Sequence, residues 1–270
     1  MKTWHNLMSA RLARREKDVP WFLGEKIAAY KYLDEIGAPH SQILGVYESI
    51  SEVPFQDLPH SFVIKPTRED SMRGVLVLQR RGENLFYDEL RTRTVTQEQV
   101  IQEFDSLFEK HQHKNNRIIV EEYVRDSDGF IVPRDFKFYA FRGEIAIILE
   151  INRNTRPLTV SWYDSQFQPV ADGRIAVNEK YANHVPGRRP AGWREMIEVA
   201  SIVSRNIPTP FASIDMYSST RGPLVGEITL TPGGIYYGGY KLSEALEIKM
   251  GAMWEIASQD NRLFQKPKPR

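Results

Sequence analysis

The apolar positions of this chain change period as it runs. From Trp4 to about Lys17 they recur at roughly helical spacing (Trp4, Leu7, Leu12, Ala13) in a basic stretch, which predicts an amphipathic helix with a solvated basic face. A second helix is predicted through "GEKIAAYKYLDEIG", residues 24–37, where Ile27, Tyr30, Leu33 and Ile36 form the apolar stripe and Gly37 the stop. The period then shortens. "SFVIKP" and "GVLVLQR" read as strands around the loop "TREDSMRG"; after a charged helix over about Thr96 to Lys110, "RIIVEEYV" reads as a buried strand ending in polar residues. "RDFKFYAFRGEIAIILEIN" gives two strands about a tight turn at Arg142-Gly143. Alternation puts Asp135 and Lys137 on one face and Phe136 and Phe138 on the other.

From Arg153 to Arg189 the pattern weakens into a long irregular insertion rich in Asn, Pro and Gly, of the kind that serves as a lid, a binding loop or a plain surface excursion. "GWREMIEVASIVSRNI" predicts a helix with Met196, Val199, Ala200 and Val203 inward. A hairpin, "SIDMYSSTRGPLVGEITLTPGG", follows over residues 213–234, then a glycine-rich turn, a last helix from about Ser243 to Ser258, and a frayed tail. Hairpins mixed with helices predict an α+β fold with largely antiparallel sheets.

Length and charge narrow the classes. The 270 residues suffice for one large domain or two lobes with real cores, and 41% apolar with 26% charged residues is ordinary for a soluble globular chain. A net charge of +1 argues against a dedicated binder of nucleic acid or anionic membrane. Having no cysteine, the chain has no disulfide, thiolate nucleophile or cysteine-ligated zinc. No apolar run reaches the length of a membrane span and the N-terminus has no signal-like core, so a cytoplasmic location is expected.

The hairpin carries the chemistry. With its centre at Arg221, Asp215 lies opposite Glu227 and Ser213 opposite Thr229, while Ile214, Met216, Ile228 and Leu230 fill the other face. Directly opposed carboxylates sit about 5 Å apart and repel. The register that buries the apolar side therefore forces the acids together, and three readings stay open: two acids on a water-facing sheet, a Mg²⁺ site, or a glycosidase pair. Elsewhere, Lys65 ends an apolar strand ahead of a turn-rich loop, where its ammonium can reach a phosphate. The backbone of "VEEYV" can meet an adenine edge with Glu121 near the exocyclic amine, and Asp135 can accept from ribose hydroxyls. No GxxxxGK[ST] or GxGxxG pattern is present.

In this order and spacing, the motifs resemble the ATP-grasp superfamily, and most of all its teichuronopeptide-biosynthesis (TupA-like) branch. The likeness runs from about Gly24 to Ala257, through "GEKIAAYKYLDEIGAPHSQILGVYES", "LPHSFVIKP", "IIVEEYV", "RDFKFYAFRGEI" and "WREMIEVASIVS" to "IDMYSSTRGPLVGEITLTPGG". The resemblance implies two α+β lobes clamping ATP between largely antiparallel sheets. Residues 1–60 would form a reduced helical segment, 61–125 the first lobe and 126–270 the second lobe with the metal site. It implies that Lys65 contacts phosphates, that Glu121 with the backbone at Tyr123 and Val124 forms the adenine hinge, and that Asp135 holds the ribose. Lys137 and Arg153 would neutralise phosphates. Asp215, Glu227 and Thr229 would ligate Mg²⁺, and Gly233 and Gly234 would offer backbone N–H groups to an acyl oxyanion. The implied activity is an ATP-dependent ligase joining a carboxylate to an amine through an acyl phosphate. Its small-molecule substrates would be amino acids or uronic acids of a bacterial surface polysaccharide or specialised metabolite, and a homodimer is allowed. The alternatives are a kinase on the same fold, a non-catalytic nucleotide binder and, last, a hydrolase.

Three positions depart from the pattern of many ligases in the superfamily. Ser213 stands where an arginine precedes the aspartate, Thr229 where the third metal ligand is often Asn, and "TREDSMRG" puts two acids in the phosphate-covering loop. Little chain precedes Gly24, so a separate N-terminal domain is expected to be reduced. His111 and His113 offer two metal ligands without a visible partner cluster, so no zinc site is assigned to them. Tyr236, Tyr237 and Tyr240 fit a sugar subsite or the packing of the final turn equally well.

Overall fold

A computed structural model describes residues 2–69, 72–233 and 238–259. The first sheet is laid down by β1 (Ile43–Tyr47), β2 (Ser61–Pro66), β3 (Leu76–Gly82), β4 (Leu85–Asp88), β5 (Arg93–Thr96) and β6 (Ile118–Glu122), in spatial order β1-β6-β2-β3-β4-β5 with every pair antiparallel. One helix, α3 (Gln97–His111), covers it. Thr96 caps α3 with a reciprocal bond from Gln99, and Val100 and Phe104 enter a core with Phe62, Ile64, Phe86 and Val120. The stretch 1–60, expected to precede this lobe as a helical segment, contributes β1 as its edge strand. "ILGVY" is β-rich but too short to signal a strand without its partner β6.

The second sheet is built from β7 (Asp135–Phe141), β8 (Glu144–Asn152), β9 (Thr159–Asp164), β11 (Asn183–His184), β12 (Ala212–Ser219) and β13 (Gly222–Thr229). Its order is β11-β9-β8-β7-β12-β13, antiparallel except for the β11–β9 pair. A small ribbon pairs β10 (Ile175–Val177) with β14 (Tyr240–Leu242). On one face, α2 (Lys26–Glu35) and α4 (Trp193–Asn206) pack over Phe136, Phe138, Ile214, Met216 and Ile228. On the other, α1 (Trp4–Leu12) and α5 (Glu244–Ser258) pack over Tyr139, Phe141 and Trp162. Among the described residues no helix is long and apolar enough to cross a membrane.

Two expectations are corrected here. The insertion from Arg153 to Arg189 is not irregular: β9 runs alongside β8 for its whole length, and β10 and β11 follow. "TVSWY" buries Val160 and Trp162 on one face and Ser161 and Tyr163 on the other, but its alternation is short and set behind an Asn-, Arg- and Pro-rich run. The basic N-terminal stretch is solvated at Arg14, Arg15 and Lys17 but not at Arg11. Arg11 is 0% exposed, donating to the carbonyls of Phe211 (2.8 Å) and Leu230 (3.0 Å) and to Thr209 Oγ1 (2.7 Å), and it pairs with Glu16 while lying over the Trp254 ring. The guanidinium fork satisfies carbonyls that would otherwise be buried without donors. A Cβ at Gly251 of α5 would meet the Lys2 carbonyl oxygen at 2.0 Å, so glycine there lets α1 and α5 close on each other.

Candidate active site

Alternation along β7 sends Asp135, Lys137 and Tyr139 to one face of the second sheet and Phe136 and Phe138 into the core beneath. That polar face, together with Val63, Lys65 and Val77 of the first sheet, lines a cavity of about 500 Å³ between the two sheets. All of Lys65, Glu121, Tyr123, Val124, Asp135, Lys137, Arg153, Asp215, Glu227, Thr229 and Gly233 line it; Gly234, Tyr236 and Tyr237 lie outside the described residues.

The register across β7, β12 and β13 sets Lys137, Asp215 and Glu227 in one row, with Ser213 opposite Thr229 as the alternation predicts. A bulge follows at Gly226, which shifts the rest of the hairpin by one residue. A Cβ there would meet the Tyr217 ring at 2.6 Å, so the bulge needs glycine. The acids are not on a water-facing sheet: Asp215 is 4% exposed. Its Oδ1 accepts from Ser213 Oγ (2.8 Å) and its Oδ2 from Thr229 Oγ1 (3.3 Å) and from the Lys137 ammonium. Lys137 also reaches Asp135 at 3.2 Å, and Arg153 reaches the same Asp135 oxygen at 3.4 Å.

Asp135 and Asp215 thus share Lys137, with Arg153 on Asp135 and the Glu227 carboxylate next in the row. Burial pushes the Asp135 carboxyl up, but Lys137 and Arg153 outweigh it and hold the group below its usual range. Burial would lower Lys137 too, yet Asp135 and Asp215 raise it, so the ammonium stays charged. Asp215 goes the other way. Burial pushes its carboxyl up to about 7; Lys137 opposes this, and the neighbouring Asp135 and Glu227 carboxylates add to it. Hard oxygen donors, buried at Asp215 and half-buried at Glu227 and Thr229, beside more than one carboxylate fit Mg²⁺, which these three residues would hold.

The shift has a testable pH consequence. Asp215 keeps its proton in the folded chain up to about pH 7, whereas an unfolded aspartate loses it near pH ~3.9. This group's contribution to stability is therefore largest below about pH 4 and disappears as pH rises through about 7. A divalent cation competes with that proton. Mg²⁺ affinity is expected to rise about tenfold per pH unit between about 5 and 7 and to level off above, in calorimetric titrations of the whole chain; a flat profile would count against cation binding at Asp215.

On the first sheet, Lys65 ends β2 and its Nζ sits 2.7 Å from Glu121 Oε1 near the end of β6, both residues buried (7% and 4% exposed). Burial lowers the lysine, but Glu121 and Tyr217 outweigh it and hold the ammonium above its ordinary range. Glu121 is thus engaged by Lys65 and by Ser41 Oγ (3.4 Å). Three lining residues escape a reading by charge and motif. Lys26 donates to the Glu69 backbone oxygen at 2.9 Å, and burial lowers its pKa. A lysine in the first turn of a helix reads as solvated; the available signal was its spacing, since 26, 30 and 33 fall on one stripe with Tyr30 and Leu33. Glu69 turns inward from the loop after β2, and Tyr217 projects from β12 beside Asp215. At the far end Trp162 and Tyr240 meet edge to face at 4.7 Å, and the Tyr240 hydroxyl bonds that of Tyr139.

A model of the TupA-like ATP-grasp family matches residues 5–250. Among solved structures, the chain is similar to an L-amino acid ligase from Bacillus licheniformis, at 12% identity and a TM-score of 0.51 over 96% of this chain and 57% of that one. It is also similar to D-alanine–D-alanine ligases from Bacillus anthracis (14% identity, TM-score 0.49, 88% of this chain and 67% of that one) and Helicobacter pylori (12%, 0.49, 87% and 61%). The chain therefore spans 57% to 67% of the length of these structures. No curated protein matches it.

Proposed function

The chain belongs to the TupA-like ATP-grasp family and has the ATP-grasp fold, and from that premise we propose that it is an ATP-dependent ligase that joins a carboxylate to an amine. The observation that carries the reading is the Lys137–Asp215–Glu227 row facing Lys65 across one cavity, with more than one carboxylate in the row. Lys65 from the first sheet, and Lys137 with Arg153 from the second, take the triphosphate oxygens. Glu121 and the backbone at Tyr123 and Val124 meet the adenine, and Asp135 accepts from the ribose. Asp215, Glu227 and Thr229 hold Mg²⁺. A bound ion would supply positive charge to the triphosphate.

In the reaction, an oxygen of the acid attacks the γ-phosphorus and ADP leaves, giving an acyl phosphate. The amine then attacks the carbonyl carbon, phosphate departs with the bonding electrons, and the new amide nitrogen loses a proton. The residues act mainly by positioning and by charge. Gly233, and Gly234 beyond the described segment, offer backbone N–H groups to the oxyanion. The ring faces of Trp162 and Tyr240 support an acceptor with a flat or cyclic skeleton, and the substrates we infer are amino or uronic acids of a bacterial surface polysaccharide or a specialised metabolite.

One observation favours a second reading, a kinase on the same fold. The position expected to carry a guanidinium for the acyl phosphate is Ser213, whose hydroxyl donates to Asp215. Product analysis separates the two. With pooled amino acids and sugar acids, a ligase releases ADP and phosphate only when both acid and amine are supplied, and mass spectrometry finds the condensed product. ADP release without free phosphate, on a single acceptor, would replace the ligase reading with the kinase.

A further inference from the structure

We propose that Glu69, His111 and His113 form a zinc-binding site that clips the β2–β3 connection to the end of α3. The two histidines share a face by local geometry. His111 closes α3, and Gln112 follows in the left-handed region (φ 44°), turning the chain so that His113 comes back beside His111 with ring centroids 5.9 Å apart. Glu69 meets them from the other side of the connection. His111 Nδ1 lies 3.2 Å from its Oε2 and His113 Nε2 3.2 Å from its Oε1, and the three ligand atoms fall within 4.8 Å of one another.

These separations fit coordination as well as hydrogen bonding, and the alignment decides between them. Zinc–nitrogen and zinc–oxygen bonds of about 2.0–2.2 Å place tetrahedral ligand atoms about 3.3 Å apart. Glu69 is 5% exposed, and neither of its oxygens receives an aligned hydrogen bond although both imidazoles are in range. A buried carboxylate facing two imidazole nitrogens that do not point hydrogens at it wants a shared cation. Arg73 lies 3.2 Å from Oε2 and is half exposed, so it can leave that oxygen to the metal. Three protein ligands leave a fourth tetrahedral position for water, and the Nδ1/Nε2/carboxylate donor set is borderline, which favours zinc over magnesium.

The clip has a consequence for the cavity. Thr67 and Arg68 already bond Asn116 beyond α3, and Lys26, which lines the cavity, holds the Glu69 carbonyl. A metal on Glu69 would fix the third anchor of this connection where Glu69 and Met72 border the cavity. That step rests on the ATP reading; zinc binding does not, so it is measured without nucleotide.

The test is calorimetric titration of Zn²⁺ into the metal-stripped whole chain at neutral pH, in excess Mg²⁺ that occupies Asp215 and Glu227, with Co²⁺ absorption as a second readout. The expected result is one equivalent bound with tetrahedral Co²⁺ bands. Both are lost in His111→Ala/His113→Ala, roughly 100-fold in affinity, and both are retained in Glu227→Gln. Thermal melting of the metal-free double variant, unchanged from the parent, keeps the comparison on a folded protein. No stoichiometric binding, or binding that survives the double substitution, overturns the proposal.

Discussion

Glu227→Gln is expected to reduce turnover by at least about 10³-fold while leaving the melting temperature within a few degrees of the parent. The amide keeps the shape of the side chain, and Glu227 is only half buried, so the cost to the fold is small. What is lost is a charge on the row that begins at Lys137 and passes through Asp215. That charge also helps hold the Asp215 proton on, after burial and beside Asp135. The substitution therefore has a second signature that mere disruption would not produce. With Glu227 neutral, Asp215 should titrate lower, and the pH at which Mg²⁺ affinity levels off should move down with it. Near-parental turnover in the Gln variant would remove Glu227 from the metal site; lost turnover with an unmoved pH profile would leave it important but not coupled to Asp215.

The same row shows what could be read in advance. The face of β12 and β13 that carries Asp215 and Glu227 was legible because Ile214, Met216, Ile228 and Leu230 leave no other register that buries them. The bulge at Gly226 was not, because nothing short of the Tyr217 ring explains why a glycine stands there. β9 stayed hidden because its alternation is short and set behind an Asn-, Arg- and Pro-rich run, and Arg11 because its acceptors are carbonyls of β-strand ends far along the chain. Lys26 and Glu69 share that limit. Their roles come from tertiary neighbours, and a charged side chain read alone defaults to water. Sequence order preserved the axis of the cavity, whereas its second layer of charges exists only once the two sheets face each other.

Lys65 and Glu121 allow stability and nucleotide binding to be separated. Each is nearly buried, and each is the other's main counter-charge at 2.7 Å. Removing one alone strands the other, at a cost of about 3–5 kcal/mol, or roughly 10 °C in melting temperature for a chain of this size. Lys65→Ala and Glu121→Ala are both expected to melt early, which by itself would say nothing about ATP. The double replacement Lys65→Met/Glu121→Leu removes both charges and refills the volume, and buried pairs exchanged for apolar side chains are often neutral in stability. The expected outcome is a double variant that melts close to the parent yet gains nothing from Mg-ATP. The parent should gain about 2.7 kcal/mol at a hundredfold excess of nucleotide over its dissociation constant. Full Mg-ATP protection of a well-folded double variant would take Lys65 out of the phosphate site and Glu121 out of the hinge, and would leave the pair as a core ion pair that happens to border the cavity.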